Sequence, residues 1–380
     1  MKLKKIAIGV ALAAGAAGVQ ASDVLLFPYV VSGGSVTTLV SVINTDSGAF
    51  DNVQYYNQNG SSTSSYGGGH NFLHWRYHIK SANTNDATCF ENNGYFPTSP
   101  LDITTYDVSG LRGEGGVMFN DPSVNNNWKA AAATNQYNAI TLDGQRAVLF
   151  VHNAGDLDSG GGYLAGEAMV VDFANGAAWG YRAEANASNG ASSQADFNFN
   201  RGQALNTGVT FMPLTQVTTR FFVTPVNTQS ANVTTDLGAP ERGDVVGMLA
   251  ANGLDIPRYG TFTTRVNLDT VSGSIRVLNR DEGGISGGVT PQDVVCVGAV
   301  NASDLITSAN VLAYANTQGG WGRLTTSYPG SVAPTDTRRW TNEAVVTKIE
   351  FRAAGGTFGG QSMGGAFNNA FTLNPTRTGF

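Results

Sequence analysis

Charge, cysteine and histidine are all scarce: 13% of the 380 residues are charged, two are cysteine and four are histidine. Two cysteines as far apart as Cys89 and Cys296 exclude a disulfide-dense scaffold and offer no metal-ligand spacing. The 22 Lys and Arg against 28 Asp and Glu leave a net charge of -6, with no basic tail or stripe, so nucleic acid is not an expected partner. Long apolar runs are missing as well. Past residue 21 the longest is VLLFPYVV (Val24 to Val31), broken by Pro28 and far short of the roughly 20 residues of a transmembrane helix.

The first 21 residues, MKLKKIAIGVALAAGAAGVQA, run from three lysines through an apolar stretch to Val19, Gln20 and Ala21. That order is expected of a bacterial secretory signal peptide, and its length and Ala/Gly content make a poor span. Removal would take three lysines and no acid, leaving a more acidic chain. The expected destination is outside the cytoplasm: extracellular or cell surface, with the periplasm left open. There an even cysteine count predicts one disulfide, Cys89 to Cys296.

Glycine is abundant at 48 residues, well above the usual share of about 7%. Apolar and polar residues alternate between turn dipeptides, the pattern of half-buried antiparallel strands. Ala168 to Phe173 and Ala177 to Tyr181 flank Asn175–Gly176, a type I′ hairpin signal. Asn59–Gly60 and Asp143–Gly144 repeat it. Val345, Thr347, Ile349 and Phe351 share one face of a strand; Val346, Lys348, Glu350 and Arg352 share the other. Helix signals are confined to Ser303 to Asn316, with Ser303 as cap, and Asp244 to Ala251. The expected fold is mainly β, an antiparallel sandwich of one large or two closely packed lobes, with one or two short helices. The divisions are a signal peptide at 1–21, an N-terminal lobe at 22–184, an Asn/Ser/Gly-rich loop or boundary at 185–206, and a C-terminal lobe at 207–380. One continuous domain comprising both lobes is the alternative division.

The stretch HNFLHWRYHIK (His70 to Lys80) holds three of the four histidines at a spacing of four. Leu73, Trp75, Tyr77 and Ile79 occupy alternate positions, so the segment reads as a strand with one buried face. Histidines four apart on a strand are separated by about 13 Å, too far to share an ion with bonds of about 2 Å. A metal would need a ligand from an adjacent strand, and the only other histidine is His152. No metal site is therefore assigned. His70, His74, Arg76, His78 and Lys80 are read as a solvated basic ladder facing acids on a neighbouring strand, or as a contact surface for an anionic partner.

Three other motifs fail on mechanism. GQSMG (Gly360 to Gly364) matches the nucleophile elbow of α/β-hydrolases, but no Asp, Glu or His follows Ser362 to complete a triad in that order. Asp156 and Asp158 begin like a calcium loop that lacks its third oxygen ligand and distal glutamate; a hairpin loop is expected, and calcium is the one cofactor left open. Asp102, Asp107, Glu114, Glu167 and Asp172 include no pair that spacing places for glycoside hydrolysis. Trp75 and Trp179 sit in strand patterns and are expected in the core. No catalytic residue is assigned.

The segments VLLFPYVVSGGSVTTLVSVINT, YYNQNG, SANTNDATC and PLDITTYDVSG resemble exported proteobacterial β-proteins of unassigned role, over the N-terminal third only. The resemblance implies export and an early hairpin leading into a sandwich. The expected function is a non-enzymatic secreted or cell-surface structural protein, a self-assembling or adhesive subunit whose partner is another copy, met through an edge strand at 24–31, or another surface component. The alternatives are a protein that binds or degrades extracellular polysaccharide and an outer-membrane β-barrel.

Overall fold

The computed structural model describes residues 24–45, 55–56, 62–63, 71–80, 89–98, 101–112, 117–119, 142, 144–153, 164–174, 176–185, 204–226, 263–269, 276–278, 284–286, 291–328, 341–352, 357–358, 360–362 and 367–373. The leader, His70, Asp156, Asp158, Glu114 and the helix expected at Asp244 to Ala251 lie outside them.

The chain is mainly β, and every strand pairing among the described residues is antiparallel. Strands up to Ala185 build two five-stranded sheets. The first runs in the order Glu184–Ala185, Val24–Val31, Arg146–Asn153, Asn71–Lys80, Cys89–Thr98. The second runs Ala177–Arg182, Leu164–Asp172, Val36–Asn44, Ile103–Asp107, Val117–Phe119. Strands from Asn206 onward build two more. One is a four-stranded sheet in the order Gly298–Asn301, Thr218–Val226, Glu343–Arg352, Phe367–Thr372. The other is a six-stranded sheet centred on Gly320–Ser327 and Thr263–Asp269. All four sheets have two ends. No closed barrel, which one expected alternative would have, forms among the described residues.

The strand Val24–Val31 corrects an expectation, because it is no exposed edge. It pairs with Arg146–Asn153 along its length and with Glu184–Ala185 at Leu25 and Leu26, and Leu25 to Val31 are all buried. Proline cannot donate to a ladder, and the register shifts between Phe27 and Val30, around Pro28. The carbonyls of the irregular stretch are taken from elsewhere: Thr224 Oγ1 donates to Pro28 O and Tyr181 Oη to Tyr29 O. Nor is the turn that follows a hairpin. Val24–Val31 and Val36–Asn44 join different sheets, so the chain turns a corner of the sandwich there. Thr38 staples the corner, its hydroxyl accepting from Val31 N at 2.9 Å and donating to Val31 O at 3.1 Å.

The strand Glu343–Arg352 has a polar face, which predicted half-burial. Instead Glu343 to Glu350 are all buried. Val345 and Ile349 belong to one core with Leu25, Trp75, Val151, Val170 and Phe222; Ala344 and Val346 belong to a second with Val209, Phe221, Val266 and Leu324. The four-stranded sheet is thus a middle layer with a core on each side. Aromatic rings fill the junction of the lobes: Trp179 stacks on Phe222 at 5.2 Å and 10°, and Tyr29 packs on Phe222 at 3.9 Å. On the second face lie Lys348 and Glu350, 1% and 7% exposed, joined at 2.9 Å. Lys348 Nζ also reaches Thr210 Oγ1 at 3.4 Å.

Local elements follow turn and cap chemistry, with two shifts. Leu164–Asp172 and Ala177–Arg182 form the expected hairpin, but Asp172 pairs with Ala177, so the loop has four residues instead of two. Ala174 N donates to Asp172 Oδ1, and Gly176 supplies φ +62°. The helix expected at Ser303 to Asn316 splits into a 3₁₀ turn, Ala302–Leu305, and an α-helix, Ala309–Gln318. Asp304 Oδ2 accepts from Asn301 N, closing the first piece; Ile306 is extended; and Ser308, not Ser303, caps the second by accepting from Val311 N.

Cys296 is buried and disulfide-bonded. It sits between Gln292–Val295, in the six-stranded sheet, and Gly298–Asn301, in the middle sheet. Its φ is +63°, and Val297 N donates to Val295 O at 2.7 Å across it, a tight turn unusual for a residue with a side chain. The chain's other cysteine is Cys89.

Lys348→Met leaves Glu350 buried without its cation, so it should cost about 3 kcal/mol or more in urea unfolding. The double variant Lys348→Met, Glu350→Leu should recover most of that loss, since two apolar groups need no partner.

Candidate binding surface on the histidine strand

The histidine segment is a strand, Asn71–Lys80, and it is interior to its sheet, flanked by Cys89–Thr98 and Arg146–Asn153. Its apolar residues build the expected core face. Trp75 and Tyr77 are fully buried and Ile79 nearly so. Trp75 meets Tyr106 edge-on at 5.1 Å and 74°. Burial first, then the nearby Tyr106 and Asp107, push the Tyr77 phenol well above its ordinary pKa, so it stays neutral.

His74, Arg76, His78 and Lys80 occupy the alternate positions and therefore the opposite face. The register shows what stands beside each. His78 lies opposite Glu91 on one neighbour and Val148 on the other; Arg76 lies between Asn93 and Phe150; Lys80 is paired with Cys89. One acidic residue, Glu91, thus stands at a register position opposite the ladder, where a row of acids was expected. Phe150 and Val148, on the same face, are 5% and 2% exposed, and Leu26 beyond them is fully buried. The Arg146–Asn153 side of this face is covered at Val148 and Phe150. Lys80 is half-buried, and burial followed by the charge of Arg146 lowers its pKa. His74 is opposed by Tyr95 on one side and by His152 on the other. Sequence spacing could not reveal that row, because register between distant strands is set by the whole sheet.

The other chemical-looking residues have structural roles where they are described. Thr357–Phe358 and Gln361–Ser362 form a two-stranded ribbon turned through Gly360 at φ +80°, so Ser362 is on no strand-to-helix elbow. Asp107 is fully buried. It accepts from Thr37 Oγ1 at 2.6 Å, Ser109 Oγ at 2.7 Å, Ser109 N at 3.1 Å, Arg112 N at 3.0 Å and Arg112 Nη1 at 3.2 Å. Burial alone would raise its pKa, but the bonds from Thr37 and Ser109 and the Arg112 charge outweigh that and lower it. Arg112 in turn lies over the Phe173 ring at 4.1 Å, tying the turn after Ile103–Asp107 to the neighbouring hairpin. Asp102 Oδ1 accepts from Ile103 N. Trp75 and Trp179 contribute to the core. Among the described residues, no group of three or more His, Cys, Asp or Glu is placed to hold a metal.

No family model matches the chain, and no curated protein or solved structure is similar to it. The functional reading therefore rests on the residues themselves.

The lowered pKa of Asp107 has a pH signature. A carboxylate whose folded pKa lies below its unfolded value near 3.9 stabilises the fold above that value and loses its contribution as pH falls through the folded pKa. The stability difference between the wild type and Asp107→Asn, from urea midpoints, should be full above about pH 5 and shrink below about pH 4.

Proposed function

We propose that this chain is an exported, non-enzymatic structural protein that assembles through a sheet edge. The observation that carries the reading is the strand Cys89–Thr98. It pairs over all ten residues with Asn71–Lys80 and, among the described residues, with no other strand. The other sheet ends are shorter: Gln292–Val295 and Gly298–Asn301 have four residues, and Asn206–Phe211 and Phe367–Thr372 have six. Glu184–Ala185, Val117–Phe119 and Gly284–Ser286 are two or three residues long. Ala177–Arg182 is longer, but Asn368 Nδ2 donates to its Ala178 carbonyl. A long strand with one edge unpaired among the described residues is a template for another extended segment, and its own second copy satisfies it by symmetry.

A rigid, layered block suits such a subunit, because the middle sheet leaves the two lobes little freedom to shift. The resemblance of the N-terminal segments to exported proteins and the disulfide at Cys296 both favour an oxidising compartment. In this reading Cys89 is the partner of Cys296, so the bridge anchors the first residue of the edge strand to the C-terminal lobe. In the loop-entropy model, a bridge across that separation contributes about 3 to 5 kcal/mol.

Negative-stain electron microscopy and sedimentation velocity of the secreted chain should show concentration-dependent oligomers or fibres. Hydrogen exchange within 89–98 should slow on assembly. A monomer at every concentration, or an assembly that leaves exchange in 89–98 unchanged, would overturn the edge-strand reading. Non-reducing peptide mapping should recover Cys89 and Cys296 in one cross-linked pair, and a free thiol at Cys89 would contradict the bridge.

A further inference from the structure

We propose that two copies of this chain pack on each other through the outer face of the hairpin formed by Leu164–Asp172 and Ala177–Arg182, a contact of side chains separate from the sheet edge. The inference does not rest on the edge-strand reading. It begins from which face is which. The row Tyr181, Ala168, Val40, Tyr106 runs across four strands and is buried at every position, which fixes the inner face. By alternation Glu167, Met169 and Val171 share the outer face with Arg182, Gly180 and Ala178. That face is open: Glu167, Gly180 and Arg182 are exposed, and Met169, Val171 and Ala178 are half-buried. Methionine and valine there run against the polar pattern usual for the solvated side of an antiparallel sheet. Phe173, where the first strand ends, is 53% exposed, and Ile43, beside Ala165 on the same face, is 38% exposed. Contiguous apolar surface of this kind marks a contact.

The register says what fits it. Unlike residues are paired in each row: Glu167 with Arg182, Met169 with Gly180 and Val171 with Ala178. A two-fold axis lying in the interface, parallel to the two strands and midway between them, exchanges the strands and keeps the rows. It sets Glu167 of one copy over the other copy's Arg182, Met169 over the hollow at Gly180 and Val171 over Ala178, each contact being made twice. One operation therefore matches acid with base and large with small. An axis across the strands would instead stack glutamate on glutamate and arginine on arginine, so the charges select the orientation. Glu167 and Arg182 join no ion pair among the described residues, so both charges are available to the second copy. The strands of the two faces would run aligned, within the roughly 30° usual for stacked sheets.

The test uses the full secreted chain in sedimentation velocity over a concentration series. The wild type should self-associate. Glu167→Arg alone and Arg182→Glu alone put like charges at both contacts, and each should weaken association by about tenfold or more. An equimolar mixture of these two single variants brings the arginines of one copy against the glutamates of the other, and should associate within about threefold of the wild type. Met169→Lys, which puts a charge where an apolar side chain meets the hollow, should weaken association by about tenfold as well. Stacked faces add no backbone hydrogen bonds between copies, so none of these variants should alter hydrogen exchange within 89–98. All the substituted positions are on the outer face, and thermal midpoints equal to that of the wild type show that the variants fold. A wild type that stays monomeric, single variants that associate as the wild type does, or a mixture no better than either variant alone would each overturn the proposal.

Discussion

Burial of both faces of one sheet is the constraint on which the rest of the molecule depends. The strands Thr218–Val226 and Glu343–Arg352 pair over nine positions and separate two cores, so nearly every side chain along them has to fit on one side or the other. Aromatics and β-branched residues serve the first face; on the second, a lysine and a glutamate neutralise each other out of water. Such a pair is weak evidence for stability, because desolvating two charges consumes most of their attraction. Its stronger effect is to disfavour registers that would leave either ion alone. A slip of one residue would carry Lys348 into the aromatic junction of the lobes.

The same layer explains how two sandwiches become one body. Tyr29, Trp179 and Phe222 come from three different sheets and meet as one cluster. Around them, carbonyls freed by the irregular stretch at Pro28 are met by Thr224 and Tyr181. Unpaired backbone groups at a buried position are costly, and the bonds from the second lobe and the neighbouring sheet remove that cost. The bulge therefore works as a coupling point and is no defect in the strand.

Strand composition was legible because alternation and turn dipeptides are local properties. Trp75, Tyr77 and Ile79 took the core face that their spacing predicted, and Asn175–Gly176 marked a real reversal. Errors arose where a distant element decided the outcome. Val24–Val31 looked like a free edge because nothing near it in sequence showed that Glu184–Ala185 and Thr224 would cover it. Glu343–Arg352 looked half-solvated because a charged face is ordinarily an outer one. The helix after Ser303 began five residues late because Asn301 and Asp304 satisfied each other first. At the histidine strand, the basic face was readable from alternation, whereas the meeting of His74 with His152 required a register that no window of sequence contains.

The position of Val24–Val31 bears on the order in which the molecule can form. Its ladder partner ends at Asn153, its second neighbour is Glu184–Ala185, and Thr224, which closes its bulge, lies 196 residues beyond Pro28. Contacts that span so much chain close slowly, after the loop entropy between them has been overcome. An eight-residue apolar segment therefore stays unpaired until most of the polypeptide has been synthesised. An apolar segment left unpaired for that interval is a part of the chain exposed to aggregation during folding.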